Sequence, residues 1–299
     1  MVEKKPNFIV VGAMKAATTS LYTYLKQHPE IFMTKVKEPM FFNNFKQENK
    51  YKILGKKSKK PTTLKEYLAM FDDVKNEKAI GEASPAYIYN PQAPQLIKDH
   101  LSNVKIIAIL RQPTDRAYSN YLHTKRADRE DAATFQEAIE LENKRIKDNW
   151  SPLYHYIEKG YYSVQLKRYF DLFSEKNIKI YLFEDVVKNT KETLKDIFKF
   201  LEVDENVEID TSKKANVSGN PSGLMGWVLK KMRYYNLMPK FAISYYLPKF
   251  IMELIFKSVY KPIEKLNEDS RRDITERYYK GEIRSLEKLI DRDLSSWLS

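Results

Sequence analysis
At 299 residues, 42% hydrophobic and 31% charged, the chain is long enough to bury a full core and too rich in Tyr and Phe to be low-complexity disorder. It has no cysteine, which excludes disulfides, thiolate nucleophiles and Cys-ligated metal, and its four scattered histidines lack the spacing of a zinc enzyme. A net charge of +12 calls for an anionic partner and does not choose among nucleic acid, a membrane surface, a polyanionic sugar and a phosphorylated nucleotide.

Met1 to Asn7 is polar and lacks a signal-peptide layout, and no apolar run is long enough to cross a bilayer, so the expected location is cytoplasmic. Phe8 to Val11 is a continuous apolar run, the mark of a buried parallel strand. Gly12 follows it, and Thr18 to Lys26 reads as a helix. Strand, glycine turn and helix open a βα unit. Val104 to Leu110 is a second apolar strand, broken by Arg111 to Thr114 and followed by a helix from Asp115 to Arg126. Ile178 to Phe183 is a third strand, with a helix near Glu192 to Leu201.

Strands alternating with helices predict an α/β fold, a P-loop-like parallel sheet flanked by helices on both faces, with a helical C-terminal region. Ligands of such sheets bind beyond the carboxyl ends of the strands, which points to residues 12–19 and 111–119. Residues 46–60 read as a basic surface loop that could rim the site of an acidic acceptor. Residues 224–263, rich in aromatics and lysine and interrupted by prolines, read as short helices: an insertion or lid within a single domain over 1–299, packed on it or touching a membrane surface or lipid acceptor.

The loop after the first strand carries the first chemical signal. Lys15 enters it, and Ala16, Ala17, Thr18, Thr19 and Ser20 lead into a helix whose first amides are unpaired and at the positive end of its dipole. The lysine comes too early for a Walker A loop and the second glycine is missing, which disfavours a magnesium-triphosphate site. At the second strand end Arg111 can clamp a phosphate, and Ser119 lies eight positions on. Arg116, Ser119 and His123 are spaced to share one helix face.

Residues 12–25 (GAMKAATTSLYTYL) resemble the 5′-phosphosulfate loop of sulfotransferases, and residues 110–123 (LRQPTDRAYSNYLH) their 3′-phosphate segment. Lys37 to Phe42, Gly81 to Tyr87, Lys159 to Tyr162 and Gly281 to Leu298 follow in the same order as in the heparan sulfate N- and 3-O-sulfotransferase branch and its bacterial homologues. The resemblance implies sulfuryl transfer from 3′-phosphoadenosine 5′-phosphosulfate, with no metal, to a hydroxyl or amine of an acceptor. The acceptor expected is a carbohydrate or glycolipid, with other lipids and small molecules open; nucleic acid is not expected.

The resemblance also implies roles. Lys15 and residues 16–20 hold the 5′-phosphosulfate, Arg111 and Ser119 the 3′-phosphate, and Lys213, Lys214, Ser218 and Gly219 close over the latter. Lys15 stabilises the leaving group. Glu38 is the expected base, held by the extended backbone that Pro39 favours before it, and His123 the second candidate, since an ordinary imidazole pKa suits general-base work. Ala17 stands where many members have glycine, which is tolerable with φ below zero. Ala83 stands where the heparan-type enzymes often carry lysine, which bears on the acceptor pocket. A P-loop-type nucleotide or sugar kinase is the alternative; it would want a carboxylate where Arg111 stands.

Overall fold
The computed structural model describes residues 4–44, 60–212, 219–221, 260–262 and 265–299. The chain forms two units, residues 1–215 with 267–299, and residues 216–266.

The larger unit is built on a five-stranded sheet in the order β2-β3-β1-β4-β5, with β1 at Phe8–Gly12, β2 at Ile31–Met33, β3 at Ala79–Ala83, β4 at Lys105–Leu110 and β5 at Ile178–Leu182. Every pairing is parallel. The central strands are buried on both faces, as their unbroken apolar sequence requires. β2 and β3 escape the hydrophobic pattern. Ile31–Met33 is too short to register, and β3 carries Gly81 and Glu82 in its middle. Gly81 is there for space: a β-carbon on it would stand 2.3 Å from the Phe8 ring.

Helices flank the sheet: α1 Thr18–Leu25, α2 Phe41–Asn44, α3 Leu64–Leu68, α4 Ala93–His100, α5 Pro113–Arg126, α6 Phe135–Lys147, α7 Tyr162–Phe170, α8 Phe183–Lys188, α9 Thr190–Leu201, α10 Glu268–Ile274 and α11 Lys280–Ile290. α5 begins two residues earlier than expected, because Pro113 fits its first turn and the Gln112 side chain accepts the Asp115 amide at 2.7 Å.

The C-terminal helices lock onto this start. Gln112 Nε2 donates to Thr275 Oγ1 at 2.9 Å and to the Trp297 carbonyl at 3.2 Å, and Arg271 pairs with Asp115 at 3.1 Å. The end of the chain thus braces the strand end that carries Arg111.

In the smaller unit, β6 Gly219–Pro221 pairs antiparallel with β7 Tyr260–Pro262. Those last residues, expected within a helical stretch, are strand; residues 224–259, and 45–59 of the basic loop, lie outside the described residues. Among the described residues no helix is long and apolar enough to cross a membrane.

Candidate anion-binding active site
The loop between β1 and α1 is fixed from both sides. The Ala13 amide donates to the Ile109 carbonyl of β4 at 2.7 Å, and the Ala16 amide folds back to the Ala13 carbonyl at 3.2 Å. Lys15 and Ala17 both adopt left-handed backbone, with φ of 70° and 60°. The expectation of a negative φ at Ala17 is therefore corrected. The turn into α1 takes the left-handed conformation, and the methyl is accepted at a cost of about 1–2 kcal/mol. The amides of Ala17, Thr18, Thr19 and Ser20 have no acceptor among the described residues. They form the concave row of donors that suits a phosphate or sulfate oxygen.

Arg111 closes the other side. Its Nη1 donates to the Lys15 carbonyl at 3.3 Å, its guanidinium lies 4.8 Å over the Phe183 ring, and the Tyr162 hydroxyl donates to its own carbonyl at 3.0 Å. Burial lowers the Arg111 pKa against the pull of Asp115, Tyr162 and Glu184. Burial, then Arg126 and Arg111, bring the Lys15 ammonium down to about 8, with Glu38 opposing and Lys37 adding to the fall. Positive charge is thus concentrated around free amides. Such a site fits an anion with several negative groups, as the implied phosphosulfate donor has.

Ser119 is half-buried on α5, two turns from its start, and His123 stands one turn further, exposed. Crowding by protein, then the charges of Lys15, Arg126 and Arg129, hold the His123 imidazole down at about 4. An ordinary pKa was expected; the histidine is instead a weak proton acceptor. Arg116 departs further. Expected beside Ser119 and His123, it is fully buried and donates Nη2 to the Tyr156 carbonyl, with Nε and Nη1 unpaired. Arg116 falls in the same row as Asn120 and Thr124, which meet Leu153 and Tyr156, while Ser119 and His123 lie beside that row, so Arg116 is core and His123 is surface.

Glu38 lies at the mouth of this site, where its charge reaches Lys15 and His123. Its carboxylate pairs with Lys37, and Lys60 donates to its carbonyl. The backbone is not extended as Pro39 favours: φ is 60° at Glu38 and 54° at Met40. Tertiary hydrogen bonds override the proline, since the Glu38 amide donates to the Ala83 carbonyl at 3.1 Å and the Met40 amide to Ser84 Oγ at 3.0 Å. Gly219 opens β6, while Lys213, Lys214 and Ser218 lie outside the described residues.

Sequence reasoning missed Arg126, Lys159 and Glu82. Arg126 is half-buried beyond Ser119, near enough to depress both Lys15 and His123. Lys159 stands behind the loop, with Nζ 3.4 Å from Met14 Sδ, and burial, then Arg116, pull its pKa down to about 7. It sits in a quoted motif, yet nothing in that motif says that a lysine is buried. Glu82 is fully buried within β3.

Residues 5–241 match the sulfotransferase domain family. A solved sulfotransferase from Alicyclobacillus acidocaldarius superposes with a TM-score of 0.77 at 30% identity, covering 99% of each chain. The membrane-associated sulfotransferase kil1 of Dictyostelium discoideum is 39% identical over 39% of this chain and 22% of its own length. Carbohydrate sulfotransferase 15 of Mus musculus is 26% identical over 66% of this chain and 43% of its own. The bifunctional heparan sulfate N-deacetylase/N-sulfotransferase 4 of Mus musculus is 28% identical over 66% and 22%. The chain thus spans less than half the length of these curated relatives. With a matching family over most of its length and a full-length structural likeness, the chain belongs to the sulfotransferase family.

Proposed function
We propose that the protein transfers a sulfuryl group from 3′-phosphoadenosine 5′-phosphosulfate to a hydroxyl or amine of a carbohydrate or glycolipid. The observation that carries this reading is the joining of Arg111 to the Lys15 carbonyl beside the free amides of residues 17–20. One anion loop suits many phosphates; two, tied together at adjacent strand ends, suit a nucleotide with phosphate at both ends of its ribose. The relatives named for carbohydrate and heparan sulfate chemistry support a sugar acceptor. A kinase is disfavoured, since Arg111 occupies the strand end where a magnesium carboxylate would stand.

Bound there, the donor would supply an electrophilic sulfur and a phosphate leaving group. The residues of this chain do the rest. The amides of residues 17–20 and Lys15 neutralise charge on the leaving side, and pre-placed donors do so without reorganisation. Arg111 and Ser119 fix the 3′-phosphate and so align the donor. Glu38 takes the acceptor proton. A cytoplasmic location belongs to this reading and is checked by cell fractionation. Incubation with labelled donor and a panel of sugars, glycolipids and small alcohols and amines tests the function: sulfated sugar supports it, and label on lipid or small molecules alone reassigns the acceptor.

A further inference from the structure
Three backbone amides of residues 38–42 end on one short stretch, from the last residue of β3 to Tyr87. The Glu38 amide donates to the Ala83 carbonyl at 3.1 Å, the Met40 amide to Ser84 Oγ at 3.0 Å, and the Phe42 amide to the Tyr87 hydroxyl at 3.4 Å. Glu38 and Met40 hold left-handed backbone without being glycine, a conformation that persists only when its surroundings impose it.

The two side-chain acceptors share a neighbour. Ser84 and Tyr87 lie beside the carboxyl of Glu82, which no solvent reaches, and their hydroxyls favour its charged form against burial. Tyr67 donates to Glu82 Oε1 at 3.4 Å, while Oε2 has no partner of full hydrogen-bond geometry. A hydroxyl has one proton and two lone pairs. With the proton turned to a carboxylate, the lone pairs are left for amide N–H groups. A carboxylate at Glu82 would in this way set the polarity of both contacts that grip the segment.

We propose that Glu82 is a positioning residue for sulfuryl transfer: its carboxylate orients Ser84 and Tyr87 to accept the Met40 and Phe42 amides, and this fixes the backbone that presents Glu38. The proposal rests on the reading of Glu38 as the base. The groups that face Glu82 are Tyr67 on α3, Tyr169 on α7, Tyr87, Glu38 and Lys60. Burial outweighs the hydroxyls and pushes its carboxyl up to about 7. Above that pH the carboxylate accepts and the grip is set; below it the acid competes as a donor and the grip loosens.

The test joins residue-resolved hydrogen exchange to kinetics. In Glu82→Gln the Met40 and Phe42 amides should both exchange faster, and turnover should fall about 10-fold or more, as for a misplaced catalytic group. Affinity for adenosine 3′,5′-bisphosphate should stay within about twofold, because donor contacts are untouched. Any acid limb of the wild-type pH profile near 7 should vanish from this variant. Ser84→Ala should loosen Met40 alone, and Tyr87→Phe should loosen Phe42 alone; these two decide the matter if Glu82→Gln does not fold. Glu38→Gln combined with Glu82→Gln should be no slower than Glu38→Gln. Unchanged exchange in these variants, or a further loss in the double variant, overturns the proposal. Full turnover in Glu38→Gln would instead strike at Glu38 as the base and leave the exchange pattern to decide on Glu82.

Discussion
Arg111 Nη1 donates to the Lys15 carbonyl across 3.3 Å, so the end of β4 and the loop after β1 hold each other before any ligand arrives. Phe183 under the guanidinium and Tyr162 on the Arg111 carbonyl complete the support. A fork held this way loses little freedom on meeting a phosphate. Arg111→Ala should weaken binding of adenosine 3′,5′-bisphosphate by ~2–4 kcal/mol, read by calorimetry with the fold checked by circular dichroism. Arg111→Lys should recover only part of the loss, since a point charge replaces a fork.

The second prediction concerns pH. Lys15 is protonated below about 8 and neutral above it, because burial, Arg126 and Arg111 disfavour its charge. Donor affinity should therefore be full below that pH and fall as pH rises through it. Lys15→Arg should keep its charge and flatten the alkaline fall, since arginine does not titrate in this range. Affinities measured from neutral to alkaline pH check both curves; a wild-type curve flat across that range would show that the Lys15 charge plays no part in binding.

Ala17 offers a test of stability. A left-handed alanine costs about 1–2 kcal/mol, and glycine gives back about 0.5–1 kcal/mol in chain entropy. With φ at 60°, Ala17→Gly should stabilise the fold by roughly 0.5–1 kcal/mol in denaturant unfolding. Destabilisation would show that the loop does not need this conformation.

The fourth prediction separates the two candidate bases. Glu38→Gln keeps the shape and removes the proton acceptor, so turnover should fall ~100-fold or more. His123→Ala should change turnover by only a few-fold, because an imidazole held at about 4 is a poor base at neutral pH. Near-normal turnover in the glutamine variant, with loss in the alanine variant, would exchange the roles.

The central strands were the most legible part of the molecule: β1 and β4 are buried almost throughout, so apolar runs announce them, and α1, α5 and α9 carry clear breaks at their ends. β5, at the sheet edge with a half-buried middle, was legible from its mostly apolar residues. β3 was hidden because its middle holds a glycine that makes room for Phe8 and a glutamate that no solvent reaches. Lys15, Arg111 and Ser119 were visible through their place at strand ends. The fate of Arg116 was not, because helical spacing sets it beside both the Ser119–His123 row and the Asn120–Thr124 row and does not say which of them a neighbouring segment covers. The backbone of Glu38 was misjudged for a similar reason: the local preference before Pro39 yields to contacts from Ala83 and Ser84, forty-odd positions away.

The two joined anion loops should hold a nucleotide phosphorylated at both ends of its ribose. Calorimetric titration with adenosine 3′,5′-bisphosphate and with ATP, each with and without magnesium, decides this. The bisphosphate should bind without magnesium and more tightly than ATP, and Arg111→Ala should abolish that preference. Equal or tighter binding of ATP that depends on magnesium would show that the loops hold a magnesium-triphosphate instead and would return the protein to the kinase reading.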